Sequence, residues 1–425
     1  MKIKIIGTGY VGLVSGVCFA SKGNDVTCYD INRDIILKLN SGKMHFYEPG
    51  VESVLKSTTK NDLFHVKHLE ELNISKNDVV FIAVGTPTKN NEIDFKFVKE
   101  ASEKIGKEIA KCDGFASVVM KSTVIPGTTD TLVKEIIEKN SSKKHGEFGL
   151  GMNPEFLREG NALDDFLTPD RIILGHDDKK TLEQLEEIYS PWNCDKIKVN
   201  TRTAEMTKYA CNSLLAIQIS STNELANICS SIGGIDITDV MQGVHTDKFW
   251  NPILESSKRA NPEILSYLKP GCGFGGSCFP KDLKAIRNHS EKLGLNPYIL
   301  NAVLKVNDNQ PYQIINLLKQ SFSSIKDKKL LILGLSFKPN TDDVRESVSI
   351  KIINELVLAN AKIIAHDPVA IQNAKKHFNL NTKVDFSEDW QSKLSIVDAV
   401  LILTNWDEYK QLSNSSNQPK LKNKI

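Results

Sequence analysis

Apolar and polar positions along this chain alternate in three distinct ways. MKIKIIG at the start reads as a short buried strand, followed at once by a glycine turn and an apolar helical run from Val11 to Ala20. DVTCYD, VVFIAV at 79–84, ASVVMKS at 116–122 and RIILG at 171–175 are further strand-like runs, separated by helical periodicity such as that of DFKFVKEASEKIGKEIAKC. Strands alternating with helices predict a parallel sheet with crossover helices. From Thr201 to Ile232 there is neither Pro nor Gly, which predicts one helix of about 45 Å at 1.5 Å per residue. Helical sequence continues to about 322. KKLLILGLSF at 328–337, AKIIAHDP at 361–368 and DAVLILTNW at 398–406 then restore the strand pattern, and the Ser/Asn/Lys-rich end after 412 is expected to fray. The division that follows is 1–200, 201–322 and 323–425.

Composition narrows this picture. The 425 residues exceed one ordinary domain, and 54 basic against 52 acidic side chains leave a net charge of only +2. Nothing in that balance calls for nucleic acid or an anionic membrane as a partner. Eight cysteines are scattered without a CxxC or a Cys/His pairing, so neither a metal site nor a disulfide framework is expected, and a reducing, cytoplasmic setting is. No apolar run is long enough for a membrane span, and the glycine turn interrupts what would otherwise resemble a signal peptide.

The first strand runs into Gly7-Thr8-Gly9-Tyr10-Val11-Gly12 and a helix, then a second strand ending in Asp30. This is the setting a dinucleotide-binding turn requires. Gly7 permits the tight turn, Gly9 admits a pyrophosphate, Gly12 allows close packing, and the helix N-terminus faces the phosphates. An acid at Asp30 accepts from ribose hydroxyls and repels a 2′-phosphate, which points to NAD.

The second chemical signal is GFGGSCFPKD at 273–282, where Cys278 follows a glycine-rich turn and precedes Asp282 by four residues. If a helix starts at Phe279, thiol and carboxylate share one face near its N-terminus, where thiolate is favoured. The competing reading is a small buried cysteine at a helix start. Lys208 and Asn212 have the same four-residue spacing on the long helix.

GTGYVG at 7–12, VGTPT at 84–88, KSTVIPGT at 121–128, NPEFLREG at 153–160, TAEMTKYACN at 203–212, GCGFGGSCFPKD at 271–282 and GLSFKPNTDDVRES at 334–347 occur here in one order. Together they resemble the UDP-glucose/GDP-mannose dehydrogenase family over nearly the whole chain. The resemblance implies an α/β protein of two Rossmann-like doubly wound domains joined by a long central helix and a helical middle domain, assembled as a homodimer around that helix. It implies NAD as cofactor and a UDP-sugar, UDP-glucose first, as substrate, its C6 alcohol being oxidised to a carboxylate with two NAD⁺ consumed. The same reaction on UDP-N-acetylmannosamine, UDP-N-acetylglucosamine or GDP-mannose is the alternative; a single-hydride β-hydroxyacid dehydrogenase and a silent NAD-binding protein are remoter ones.

By the same resemblance Cys278 is the nucleophile, forming a thiohemiacetal and then a thioester. Lys208 and Asn212 face the developing oxyanion, Asp282 and Thr123 orient a water, and Glu155 serves as acid or base in hydrolysis. Tyr10, Val11, Thr86, Thr123, Glu159, Lys281 and Arg345 join the three glycines and Asp30 as cofactor contacts. Glu155, Phe156, Leu157, Lys208, Asn212, Tyr267, Leu268, Lys269, Gly271, Gly275 and Lys338 are the implied sugar-nucleotide contacts. The glycine run is expected to be bare so that it can wrap a ligand. Arg345 has a salt bridge to Asp342, Asp343 or Glu346 as its alternative. The chain departs from the family at Ile35, where a basic residue is common and Arg33 is the nearest substitute, and at Pro262, where many relatives have an Arg and Arg259 is the nearest.

Overall fold

The computed structural model describes residues 1–89, 92–255, 257–378, 383–414, 417 and 421. The expected fraying after 412 falls largely outside them. The chain forms two compact units, Met1–Ala210 and Cys211–Ile425. Their boundary lies inside the helix Thr201–Ile232, whose bounds match the expectation, so Lys208 belongs to the first unit and Asn212 to the second.

The first unit is built on eight strands: β1 (Lys2–Ile6), β2 (Asp25–Asp30), β3 (Phe64–His68), β4 (Val79–Ile82), β5 (Ser117–Met120), β6 (Gly149–Met152), β7 (Arg171–His176) and β8 (Asp195–Val199). Their order is 8-7-6-5-4-1-2-3, parallel throughout except between β6 and β7. Helices cover both faces, which is why the inner strands read as unbroken apolar runs. Alternate residues serve opposite cores. Ile3, Ile5, Val79 and Phe81 pack with Leu13, Val14 and Val17 of the helix Tyr10–Ser21, whereas Ile6, Val80 and Ile82 pack with Val98, Ile105 and Ile109 of the helix Lys96–Lys111. Phe81 lies 5.3 Å from Phe19 in this core, and truncating such a ring to Ala costs about 3–5 kcal/mol.

From β1 the chain adds β2 and β3 on one side and β4 to β6 on the other, which opens a crevice at the carboxyl ends of β1 and β4. Gly7–Gly12, Asp30, Val84–Thr86, Lys121–Thr123 and Asn153–Leu157 all lie at or just beyond strand carboxyl ends.

In the second unit β9 (Lys329–Leu333), β10 (Lys362–His366), β11 (Val384–Phe386) and β12 (Ala399–Ile402) form a parallel sheet of order 11-10-9-12, repeating the 3-2-1-4 order of the first. Gly334 follows β9 at φ +98°, as Gly7 follows β1 at φ +99°. Ahead of this sheet the long helix is followed by the helices Ile237–His245, Phe279–Lys292 and Tyr298–Ser321, and Val348–Leu358 and Ile371–His377 connect its strands. The α/β class and the expected strands are present. Of the strands in these two sheets four were not expected: β3, β6, β8 and β11; nor was the short antiparallel pair Thr88–Lys89 and Glu92–Ile93. β6 (GLGM) lacks a strand signal because two glycines interrupt it. A Cβ at Gly149 would run into Thr181, and one at Gly151 would lie 3.1 Å from the Gly175 carbonyl oxygen.

Candidate active site

Gly7 donates its amide to the Tyr29 carbonyl at 2.7 Å, and a Cβ there would meet the Ala83 oxygen at 2.7 Å. A Cβ on Gly12 would run into Gly7, so turn and helix pack with nothing between them. Gly9 is different: its missing Cβ points at no atom within 4 Å, and as N-cap it leaves the helix start without a side-chain cap. Open space beside uncapped helix amides is what a pyrophosphate needs. Asp30 accepts from the Thr8 amide at 2.9 Å and hydroxyl at 2.5 Å on one oxygen, and from the Asn32 amide at 2.9 Å on the other. A carboxylate has about four acceptor sites, so capacity remains for a ribose hydroxyl. These residues fit NAD. Thr86 is buried beyond β4, and Thr123 is half-buried beyond β5.

The second unit carries the same device in another state. Asp367, one residue beyond β10, is 2% exposed. One of its oxygens accepts from the Leu335 and Ser336 amides, the Ser336 hydroxyl and the Trp406 indole, and the other from the Val369 and Ala370 amides. Its acceptor capacity is used up within the protein.

After β6, Pro154 leads into the buried Glu155. Oε1 accepts from Lys208 Nζ at 2.9 Å and Oε2 from the Leu157 amide at 2.7 Å. Burial pushes this carboxyl up, but the Lys208 charge and hydrogen bond, the Leu157 amide and the Lys121 charge together outweigh it and hold Glu155 below the usual carboxylate range. Phe156 lies under the Arg171 guanidinium at 4.2 Å and within 5.5 Å of Lys208 Nζ. Glu159, in the same loop, contributes with Glu48 and Glu155 to raising the Tyr10 hydroxyl, after burial and the Glu48 hydrogen bond.

Two buried charged residues that support the site were not anticipated. Lys121 is 2% exposed and donates to Asn153 Oδ1 at 2.7 Å, where the Tyr189 hydroxyl also donates. Burial pushes Lys121 down to about 8, against the pull of Glu155. Glu205 accepts from the Gly127 amide at 2.5 Å and from the Thr129 amide and hydroxyl at 2.9 and 2.7 Å, which fixes the start of the long helix to the turn after β5. Both Lys121 and Glu205 sit inside quoted motifs, so a buried-charge question put to those segments would have found them.

In the second unit a helix does start at Phe279, with Cys278 as the N-cap of Phe279–Lys292; the cysteine is partly exposed with Ser277 Oγ at 3.6 Å from Sγ. Its carbonyl accepts the Asp282 amide at 2.8 Å. Asp282 is 1% exposed and receives Asn212 Nδ2 at 2.7 Å and Lys281 Nζ at 2.6 Å on its two oxygens. Asn212, Lys281 and Asp282 are therefore one cluster beside the cysteine. Lys281, read from the sequence as a cofactor contact, gives one of its three donors to Asp282.

The glycine run is held by three amide side chains. Asn223 accepts the Gly271 amide at 2.8 Å, Gln310 donates to the Gly271 carbonyl at 2.9 Å, and Asn307 exchanges two bonds with Phe274. The expectation that the run is bare for a ligand's sake is corrected at three positions. A Cβ at Gly273 would meet Asn307 at 2.7 Å, one at Gly275 would run into the Glu346 carbonyl, and one at Gly276 would meet the Phe337 ring at 2.7 Å. These glycines make room for protein; Gly271 faces open space.

Tyr267 and Leu268 end the short helix Glu263–Leu268, whose N-cap is Pro262. The Leu268 carbonyl meets the His245 ring at 3.1 Å, and Lys269 beyond it is exposed. Lys338 lies over Phe337 at 5.7 Å. Arg345 makes the salt bridge foreseen as its alternative, a forked pair with Asp343 through Nε at 2.9 Å and Nη2 at 2.7 Å. Arg259 donates to the Asn251 carbonyl at 3.1 Å. Among the described residues no helix is long and apolar enough to cross a membrane, and no group of three His, Cys, Asp or Glu could hold a metal ion.

Three models of one family match in sequence: the UDP-glucose/GDP-mannose dehydrogenase family NAD binding domain over 1–193, its central domain over 202–309 and its UDP binding domain over 331–425. The UDP-glucose 6-dehydrogenase AglM of Haloferax volcanii is 38% identical over 97% of this chain and 93% of its own. A UDP-glucose dehydrogenase structure from Pyrobaculum islandicum superposes with a TM-score of 0.88 at 35% identity, covering 96% of this chain and 91% of that one. A UDP-D-ManNAc dehydrogenase structure from Pyrococcus horikoshii has a TM-score of 0.83 at 25% identity, covering 99% and 93%.

Proposed function

Because the chain belongs to the UDP-glucose/GDP-mannose dehydrogenase family, and is thereby an NAD-dependent UDP-sugar dehydrogenase, we propose that it oxidises the C6 alcohol of UDP-glucose to the carboxylate of UDP-glucuronate. The observation that carries the chemistry is Cys278 at a helix N-terminus, one turn before a buried Asp282 held by Asn212 and Lys281.

The Gly7–Gly12 turn and Asp30 would hold NAD⁺, which would supply the hydride acceptor for both oxidations. The remaining steps belong to side chains. The helix dipole favours the Cys278 thiolate, which bonds to the aldehyde carbon once the C6 alcohol has lost a hydride from carbon and the proton of its hydroxyl; the oxygen takes a proton and a thiohemiacetal forms. Loss of the second hydride and of that proton leaves a thioester. Water then adds to the thioester carbon and the C–S bond breaks, returning the thiol and releasing the acid. Lys208 and Asn212 offer donors to the oxyanion, Asp282 with Thr123 orients the water, and Glu155 moves its proton. Phe156, Leu157, Tyr267–Lys269, Gly271 and Lys338 are assigned to the sugar nucleotide. Residues 1–200, 201–322 and 323–425 are taken as the cofactor, central and UDP-sugar domains, and the setting as cytoplasmic.

Among the solved structures, 35% identity to a UDP-glucose dehydrogenase against 25% to a UDP-D-ManNAc dehydrogenase favours glucose over the N-acetyl sugar. The test is the full chain with NAD⁺ and UDP-glucose, UDP-N-acetylmannosamine or GDP-mannose. Two NADH per UDP-glucose are expected. One NADH per sugar removes the four-electron mechanism; two with another sugar and none with UDP-glucose keeps the mechanism and replaces the substrate.

A further inference from the structure

Glu48 lies in HFYEPG between β2 and β3, outside every segment assigned to cofactor or sugar, and is 5% exposed. Its carboxylate is committed to donors from two segments far apart in sequence. Oε2 accepts from the Tyr10 hydroxyl at 2.6 Å and the Gly160 amide at 2.7 Å; Oε1 accepts from the Ala162 amide at 2.8 Å. Tyr10 is the first residue of the helix after Gly9. Gly160 closes the NPEFLREG segment that carries Glu155 and Glu159. It sits at φ +83°, a conformation glycine adopts at little cost, and so presents its N–H to Glu48.

The Tyr10 ring is fixed as well as its hydroxyl, lying 5.2 Å from Phe46. Burial, the bond to Glu48 and the charges of Glu48, Glu159 and Glu155 all raise the hydroxyl's pKa, so it stays a neutral donor. A buried carboxylate that loses a partner cannot recover the bond from water, so each of these three bonds resists opening more than a surface contact would.

We propose that Glu48 is a positioning residue that ties the dinucleotide turn to the loop bearing Glu155 and Glu159, and so keeps the cofactor side and the sugar side of the first unit in fixed register. The inference rests on the cofactor and sugar assignments of those two segments. Glu48 touches neither ligand in this scheme. It acts through the Tyr10 hydroxyl on one side and the amides of residues 160 and 162 on the other.

Tyr10→Phe removes one donor and keeps the ring on Phe46, so it is the mild variant. In the full chain without ligand, hydrogen exchange at the 160 and 162 amides should quicken by roughly tenfold, although the substituted ring would touch neither. Calorimetric titration should show NAD⁺ affinity reduced roughly tenfold in both Tyr10→Phe and Glu48→Gln, with the double variant no weaker than Glu48→Gln alone. Unchanged exchange at 160 and 162 in Tyr10→Phe, or penalties that simply add, would overturn the tether. If Glu48→Gln does not fold, the exchange measurement on Tyr10→Phe still decides. Wild-type protein that bound no NAD⁺ would overturn the cofactor assignment itself, a result distinct from either failure of the tether.

Discussion

Lys208 Nζ and Glu155 Oε1 stand 2.9 Å apart with both side chains buried, though 53 residues separate them in sequence. Such a pair gains little net stability over apolar packing, because each ion has left water. Breaking it is another matter, since the surviving charge has no solvent to replace its partner. The pair holds the Glu155 carboxylate ionised inside the protein, where burial alone would favour its neutral form.

Lys208→Met should therefore cost about 3–5 kcal/mol in urea unfolding. The pH dependence should also change sign. In the wild type Glu155 is held low when folded, so its contribution is present above the unfolded carboxyl pKa and lost as pH falls through the lower folded value. With Lys208 gone burial dominates and the folded carboxyl rises, so stability should fall as pH rises past the ordinary value. A variant that kept the wild-type slope would contradict the role given to this pair.

Cys278→Ala should abolish acid formation, a loss of roughly 10³-fold or more in kcat. Cys278→Ser should behave similarly and allow an ester-linked sugar to accumulate, visible as added mass on the intact protein. Acid produced at the wild-type rate by Cys278→Ala would remove the thioester route.

Glu205 titrates in the opposite sense to Glu155. Burial raises it to about 7, and hydrogen bonds from Thr129 and Gly127 pull it only part of the way back. The folded protein then binds more protons than the unfolded chain between about 4.5 and 7, so this group makes stability fall as pH rises through that window, by up to roughly 3 kcal/mol. Glu205→Gln should flatten the fall, measured as melting temperature against pH. An unaltered pH profile would refute this.

Gly275→Ala and Gly271→Ala offer a contrast within one loop. The first drives a methyl into the Glu346 carbonyl and should destabilise by about 1–3 kcal/mol, whereas the second enters open space and should melt within about 2 °C of wild type. Equal melting temperatures for the two would mean that packing does not dictate Gly275.

The long helix leaves Leu214, Leu225, Ile228 and Ile232 at 60, 48, 49 and 68% exposure, and their spacing places them on one stripe. We propose a second copy of the chain as its cover. Sedimentation at micromolar concentration should give a dimer, and Ile228→Glu should shift it towards monomer; an active wild-type monomer would exclude this.

What could be read in the sequence was whatever is encoded locally. The Cys278 to Asp282 spacing becomes one helical turn, and Gly7, Gly9 and Gly12 do three separate jobs within six residues. What could not be read was whatever the fold brings together from afar. Asn223, Asn307 and Gln310 hold the glycine run, yet each is an ordinary polar residue on a helix with no local mark of its task. Glu48 was missed for the same reason, since its partners Tyr10 and Gly160 lie 38 and 112 residues away. The error over Gly275 has the same origin: only packing against Glu346 distinguishes a glycine required by the protein from one required by a ligand.

Asp30 and Asp367 set a limit on redesign. Anyone wishing to graft a second dinucleotide site into the C-terminal unit would find the matching strand order, the matching glycine and the matching acid already in place, and still fail. Six donors occupy Asp367. To free even one of its oxygens for a visiting ribose, the engineer must first rehouse either the Val369 and Ala370 amides or the donors of Leu335, Ser336 and Trp406, which means rebuilding the loops around this acid before any ligand can be read by it.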